Sequence, residues 1–292
     1  MNGSTWAATA APRSTIGASG PPVLTSGELQ AIIRLVYEKS GITLSDAKHG
    51  LVSARLQKRL RHGGFASYAS YIAHVERDRS GQALTELLDA IATNHTSFFR
   101  EPQHFEFLRR EVLSMAATQQ RAPSIWSAAC SRGDEPYTIA MTLRDHLPEA
   151  LLGGARVLAS DLSTKALRVA AAGVYPIDHV ADLPAETLRR HFERGMGAQE
   201  GLARVASPVR AHVEFRRLNL LEITSLGQRF DVIFCRNVMI YFDQPTQQRV
   251  VSMLERHLAP SGHLFISHAE SLNGISHGLR WVAPAIYQQG PA

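Results

Sequence analysis

Between residues 23 and 92 the apolar positions recur every three to four places, and nowhere do they alternate long enough to predict a strand. GELQAIIRLVYEKSG sets Leu29, Ile32, Ile33, Val36 and Tyr37 on one helical face and closes on Gly41. HGLVSARLQKRLRHGG follows with Val52, Leu56 and Leu60 at four-residue spacing and ends at Gly63 and Gly64. SYASYIAHVERD and ALTELLDAIATN complete a small all-helical module. After Glu101 and Pro102, where the proline suits the first turn of a helix, the pattern changes. Short apolar runs at 124–130, 155–161, 212–219, 230–237 and 262–268 read as strands, with helical stretches at 135–147, 163–172 and 245–258. This alternation predicts an α/β domain, a parallel sheet covered by helices on both faces. The tail LRWVAPAIYQQ offers one more, antiparallel edge strand.

One segment breaks the alternation. About forty residues separate the helix ending near Gly173 from the strand at 212, where a short connection would serve. They predict an inserted subdomain over about 175–213: a turn and helix in LPAETLRRHFERG, then one or two strands in LARVASPVRAHVEF. The expected organisation is therefore a tail over 1–22, a helical domain over 23–92 and a sheet domain over 93–292 that carries the insertion. The tail, rich in Ser, Thr, Ala, Gly and Pro, has the composition of a disordered segment.

Composition narrows the classes. No run approaches the roughly 20 apolar residues of a membrane span, and the N-terminus has no signal-like apolar core, so the expected place is the cytoplasm. The two cysteines, Cys130 and Cys235, are expected as reduced thiols at strand ends, too few for a structural zinc site; no metal is expected. A net charge of +5 favours an acidic partner without naming it.

The chemistry concentrates in IWSAACSRGDEPYTIAM, residues 125–141, a buried strand that turns into a helix through Ser131, Arg132, Gly133, Asp134 and Glu135. In an open parallel sheet a ligand sits beyond such a strand end. The turn lacks the G-x-G-x-x-G of a dinucleotide site, and two carboxylates would repel a phosphate while accepting a cation. The next strand ends in Asp161, placed either to hold a ribose diol or to cap the following helix. Together the two strand ends describe a nucleoside site tolerant of positive charge, which S-adenosylmethionine fits.

NHTSFFRE (94–101), WSAACSRGDEPYTIAM, ASDLS, RLNLLE (217–222) and FCRNVMIYF (234–242) occur in an order and spacing that closely resemble the CheR-type chemotaxis receptor glutamate methyltransferases. The resemblance runs from Val23 to the C-terminus. It departs from the family pattern at Arg132 and Asp134, where Thr and Glu are usual. It implies a Rossmann-like S-adenosylmethionine-dependent methyltransferase domain behind an all-helical N-terminal domain, with an inserted β-subdomain. The implied reaction is methyl transfer to glutamate carboxylates of chemoreceptors, leaving S-adenosylhomocysteine.

The resemblance also implies roles. Asn94, Thr96 and Arg100 border the cofactor, Glu135 meets its methionine end, and Asp161 holds its ribose. Asn219 and Leu220 flank the adenine, and Arg236 and Asn237 close the pocket. Arg100 and Tyr241 orient the incoming carboxylate, while Phe98 and Phe99 are expected in the core. On the helix at 50–62, Arg55, Lys58, Arg59, Arg61 and His62 make a basic face suited to the Glu-rich helical bundle of a receptor. Gly195 and Gly197, in RGMGAQEGLARV, match a loop of family members that bind a receptor C-terminal tail peptide through the inserted subdomain. The expected protein is a monomer recruited to membrane receptor arrays, with no nucleic-acid partner. Two other readings stay open on the residues alone: a non-catalytic receptor-binding sensor of the cofactor or its demethylated product, and an RNA methyltransferase, for which no aromatic-studded basic stretch stands out.

Overall fold

The computed structural model describes residues 22–44, 49–91 and 95–291; Asn94 and all but the last residue of the expected tail lie outside the described residues. The helical domain comprises α1 (Ser26–Ser40), α2 (His49–Gly63), α3 (Tyr68–Arg77) and α4 (Gln82–Ile91). Local chemistry sets the limits of α1. Thr25 and Glu28 form a reciprocal capping box at its start, and Gly41 ends it at φ +69°, a left-handed conformation that glycine adopts without strain. The inward faces meet in one apolar cluster that includes Ile32, Val36, Val52, Leu56, Leu60, Leu87 and Leu88. Tyr37, expected on the same face, is instead 40% exposed and reaches out of the domain. Helical periodicity had placed it one step too far round the stripe.

The second domain opens with α5 (Pro102–Phe107), which runs through a π-helical stretch, Leu108–Leu113, into a last turn, Ser114–Thr118. Then follow β1 (Ser124–Ala128), α6 (Asp134–His146), β2 (Arg156–Asp161) and α7 (Thr164–Ala172). The insertion holds β3 (Val174–Pro176), α8 (Ile177–Val180), α9 (Ala185–His191), β4 (Phe192–Arg194), β5 (Leu202–Val205) and α10 (Ser207–Arg210). The chain returns through β6 (Val213–Arg217), β7 (Phe230–Cys235), α11 (Gln244–His257), β8 (Leu258–Phe265), β9 (Arg280–Ala283) and β10 (Ile286–Gln288).

Seven strands form the main sheet in the order β6-β2-β1-β7-β8-β10-β9. The first five are mutually parallel, and β10 and β9 add antiparallel. Two expectations change here. The tail supplies a hairpin of two strands, not one, because Ala285 at φ +60° turns the chain back. LARVASPVRAHVEF holds an unexpected short helix, α10, between its strands; its second strand is the one expected at 212–219, paired with β2 in the main sheet, and the insertion forms a three-stranded sheet of order β3-β5-β4.

The sheet is buried on both faces. Trp126, Ile233, Leu254 and Leu264 pack on one side, and Ile125, Val157, Phe234 and Phe265 on the other. Each such side chain contributes about 1.5–3 kcal/mol of transfer free energy. The buried Trp126 indole donates to Ser160 Oγ at 2.8 Å, which satisfies its one polar atom. Strand order reverses at β1, and this topological switch point opens a crevice at the carboxyl ends of β1, β2 and β7.

Candidate active site

The crevice is an open cleft lined from several segments of the chain. Its walls come from both domains: Ser40, Ile42, Leu44, Leu88 and Ile91 from the helical one, strand-end residues from the sheet. Thr96, Arg100, Glu135, Asp161, Asn219, Leu220, Arg236, Asn237 and Tyr241 all line it. They come from five segments: four lie where parallel strands end at the same edge of the sheet, and the fifth, carrying Thr96 and Arg100, leads into α5.

The turn after β1 is held in a rare shape. Ala129, Ser131 and Gly133 have φ of +69°, +51° and +96°, three left-handed residues in five. Conformations of this kind in non-glycine residues persist only where the surroundings impose them. At Gly133 a side chain has no room, because a Cβ would sit 2.9 Å from that of Ala170. Asp161 supplies part of the constraint, accepting from Ser131 N through one oxygen and from Ser163 N through the other, both at 2.8 Å. The helix cap itself is Ser163, whose hydroxyl accepts from Ala166 N, so Asp161 is not the N-cap. Burial pushes the Asp161 carboxyl up, with the Ser163 and Ser131 amides pulling against it.

The two carboxylates of the turn part company. Glu135 faces the cleft, where Ser127 Oγ donates to it at 2.7 Å and Arg236 at 3.1 Å. Burial raises its pKa, opposed first by Arg236 and then by Ser127. Asp134 points the other way: it is fully buried and pairs with His179 of the insertion. Of the two, only Glu135 lines the cleft, a correction to the reading that used both.

Arg236 is a buried hub. It bridges Glu135 and Glu101, each at 3.1 Å, and donates to the carbonyl of Arg100. Glu101 is held below its ordinary value, the Ser267 hydroxyl and Arg236 outweighing the upward push of burial. His104 lies 3.4 Å from Glu101, yet burial first and Arg236 second hold it down to about 4, so it is neutral and the contact is no ion pair. Arg100, partly exposed, donates to the carbonyl of His95 at 3.2 Å. The side-chain amide of Asn219 donates to the carbonyl of Lys39 at 2.8 Å, tying this wall of the cleft to α1.

Phe98 packs among Tyr175, His179 and Phe192 in the core of the insertion's base. Both cysteines are buried and free, and burial pushes their thiols well up. The basic face of α2 divides. Arg55 donates to the carbonyl of Ile91 and Arg59 pairs with Glu86 at 2.5 Å, both bracing α4, whereas Lys58, Arg61 and His62 face outward. Gly195 and Gly197 lie in the hairpin loop between β4 and β5. A Cβ at Gly195 would meet the Gln199 carbonyl oxygen at 2.0 Å, and Gly197 has φ +58°.

The fit of S-adenosylmethionine can be judged on the cleft itself. Glu135 offers a negative charge, Asp161 lies at the end of β2, and Ser131 Oγ is buried at the wall with no partner. An ammonium, a ribose and a carboxylate need groups of these kinds. Sequence reasoning missed His179 and Glu270. His179 lies 45 residues from its partner and Glu270 some 30 from its own, and no local pattern marks either.

Comparisons with known proteins agree with this geometry. Residues 94–285 match the family model described as CheR methyltransferase, SAM binding domain, and residues 27–92 match CheR methyltransferase, all-alpha domain. The chain is 40% identical over 264 residues to chemotaxis protein methyltransferase 2 of Pseudomonas aeruginosa, covering 90% of this chain and 93% of that protein. It is 38% identical over 266 residues to the chemotaxis protein methyltransferase of Escherichia coli, covering 90% and 91%. The chemotaxis protein methyltransferase of Borreliella burgdorferi is 36% identical over 273 residues, covering 91% and 95%.

Proposed function

Because the chain belongs to the CheR methyltransferase family, we propose that it methylates glutamate side chains of chemoreceptors, forming methyl esters. The observation that carries the reading is the cleft at the sheet's switch point, with Glu135 and Asp161 on its floor and Arg100 and Tyr241 on its lining. S-adenosylmethionine, when bound, supplies a methyl on a sulfonium: an O–C bond forms as the S–C bond breaks, and its electron pair stays on sulfur.

The acceptor needs no base. A glutamate with an ordinary pKa of about 4.3 is already ionised at neutral pH, so no proton has to move. What remains for this chain is alignment and exclusion of water. Glu135 attracts the cationic ligand. The Ser131 and Asp161 pair shapes its seat, while Asn219 and Leu220 border the adenine side. The Arg100 guanidinium orients the incoming carboxylate, with Tyr241 beside it. Too tight a pair would blunt the nucleophile, so Arg100 positions and does not activate.

Two surfaces deliver the substrate in this reading. Lys58, Arg61 and His62 on the outer side of α2 face an acidic helical bundle. In the insertion, β4 lies at the edge of its sheet, open to a tail peptide added as a further strand, with Gly195 and Gly197 shaping the loop beside it. Such a tether raises the local concentration of receptor at the membrane array and takes no part in the chemistry. Gly195→Ala is expected to weaken tail-peptide binding about 10-fold or more, since the clash with Gln199 must distort the hairpin. Calorimetry with the tail peptide checks it, and wild-type heat from the variant would remove the tether from the reading.

The decisive assay is transfer of tritiated methyl from S-adenosylmethionine to membranes holding a cognate chemoreceptor, followed by mild base. Release of label as methanol is the expected result. Label stable to base would point to nitrogen acceptors, and absence of transfer with cofactor binding intact would leave a binding module.

A further inference from the structure

Five backbone amides converge on one side chain that no motif marks. Glu270, in the loop after β8, accepts from Val238 N at 2.9 Å, Met239 N at 2.8 Å and Ile240 N at 3.4 Å through Oε1. Its Oε2 accepts from Asn237 N at 3.0 Å and Ser267 N at 2.8 Å. Glu270 does not line the cleft; the turn it grips does, through Asn237, Val238 and Tyr241. That turn leaves β7 with Asn237 at φ +59° and coils into a short 3₁₀ helix, Met239–Tyr241.

Left-handed asparagine is tolerated but must be held. Here it is held twice, by Glu270 at its amide and by Ser267 Oγ, which receives its side-chain N–H at 2.6 Å. The same Ser267 hydroxyl donates to Glu101 at 2.8 Å, and Glu101 meets Arg236. The loop after β8 is thereby wired to the hub beneath Glu135.

We propose that Glu270 is a positioning residue for methyl transfer, its carboxylate holding the 237–241 turn in the shape that presents Asn237 and Tyr241 to the cleft. A carboxylate suits the place because it only accepts, and every partner here donates. Glutamine has the same shape but must turn an NH₂ toward either three amides or two. The role rests on the methyltransferase reading given above, and the test separates the two.

Glu270→Gln is expected to lower kcat about 100-fold at saturating substrates, while cofactor Kd rises by less than about 10-fold. Introduced into Tyr241→Phe or Asn237→Ala backgrounds, the same change is expected to matter by less than about threefold, because its effect runs through those side chains. Hydrogen exchange gives an arm independent of the substrate: amides of 237–240 exchange at least about 10-fold faster in the variant. Unchanged exchange there would overturn the proposal whatever the enzyme methylates. So would wild-type kcat in Glu270→Gln, or an equal fractional loss in all three backgrounds, which is the mark of a fold defect alone. Absence of methyl transfer by the wild type would overturn the methyltransferase reading and with it the catalytic side of the proposal, while faster exchange in the variant would still show that Glu270 holds the 237–241 turn.

Discussion

Glu135 sits in the cleft with its pKa raised by burial despite Arg236 and Ser127, which makes it sensitive to the charge of whatever enters. A cationic ligand favours the ionised form, so binding must release protons as pH falls toward the raised pKa. S-adenosylmethionine affinity is therefore expected to weaken as pH falls through the range where the Glu135 carboxyl, raised by burial, takes up its proton. Calorimetry in buffers of different ionisation enthalpy reads the released proton, and Glu135→Gln is expected to abolish the release. A second residue-scale effect comes from His104 and His263, both held from an ordinary 6.5 down to about 4, with burial the largest cause. A histidine depressed in the folded state binds more protons when unfolded, so the fold loses stability as pH falls from 6.5 toward 4. At about 1.4 kcal/mol per pKa unit, each contributes at most about 3 kcal/mol of that loss. Thermal melts across this window are expected to fall less steeply for His263→Leu than for wild type.

At the scale of elements, the basic stripe of α2 divides between residues that brace α4 and residues that face outward. Its spacing alone groups Arg55, Lys58, Arg59, Arg61 and His62, yet α4 takes two of the five for itself. Reversing Lys58 and Arg61 to Glu is expected to raise KM for receptor about 10-fold at low salt without altering cofactor Kd. Arg59→Glu, facing Glu86, is expected to lower melting temperature instead. Steady-state kinetics and melts on both variants separate the roles. If Lys58 and Arg61 reversal leaves KM untouched, α2 is only a solvated helix. The turn after β1 is a second case. Its polar residues after an apolar run were legible as a strand end. That Asp134 would turn to His179 and Glu135 to the cleft was not, because the partner of Asp134 arrives from the insertion.

Across the whole molecule, the helical and sheet domains meet at the cleft and close it jointly. Tyr37 donates to Asp243 at 2.8 Å, Thr164 to Asp89 at 2.9 Å, and Arg217 to Thr85 at 3.0 Å, while Ile42 bridges Phe242. The segment 40–44 thus forms a wall of the cleft, and Thr43 N donates to the carbonyl of Tyr241. A ligand held by both domains stabilises both. Cofactor at about 100 times Kd is expected to add roughly 2.7 kcal/mol and to move a single unfolding transition. Two transitions in calorimetry, only one shifted, would show that the helical domain takes no part in binding.

The sequence by itself determined the elements and their class. Apolar periodicity is a local property, and continuous apolar runs between helices leave a covered parallel sheet as the stable arrangement. It also marked two parts of the cleft, the turn after β1 and Asp161 at the end of β2, while the other lining residues were implied by the family resemblance. Only the tertiary structure decided what each polar group faces. Tyr37 left the core for Asp243, Arg59 turned to Glu86, Asp134 to His179, and Glu270 gathered four amides of the distant 237–240 turn. Hydrogen bonds and ion pairs are short-ranged and directional, so their partners depend on which distant segments the packed core brings within about 3 Å. No spacing along the chain encodes that.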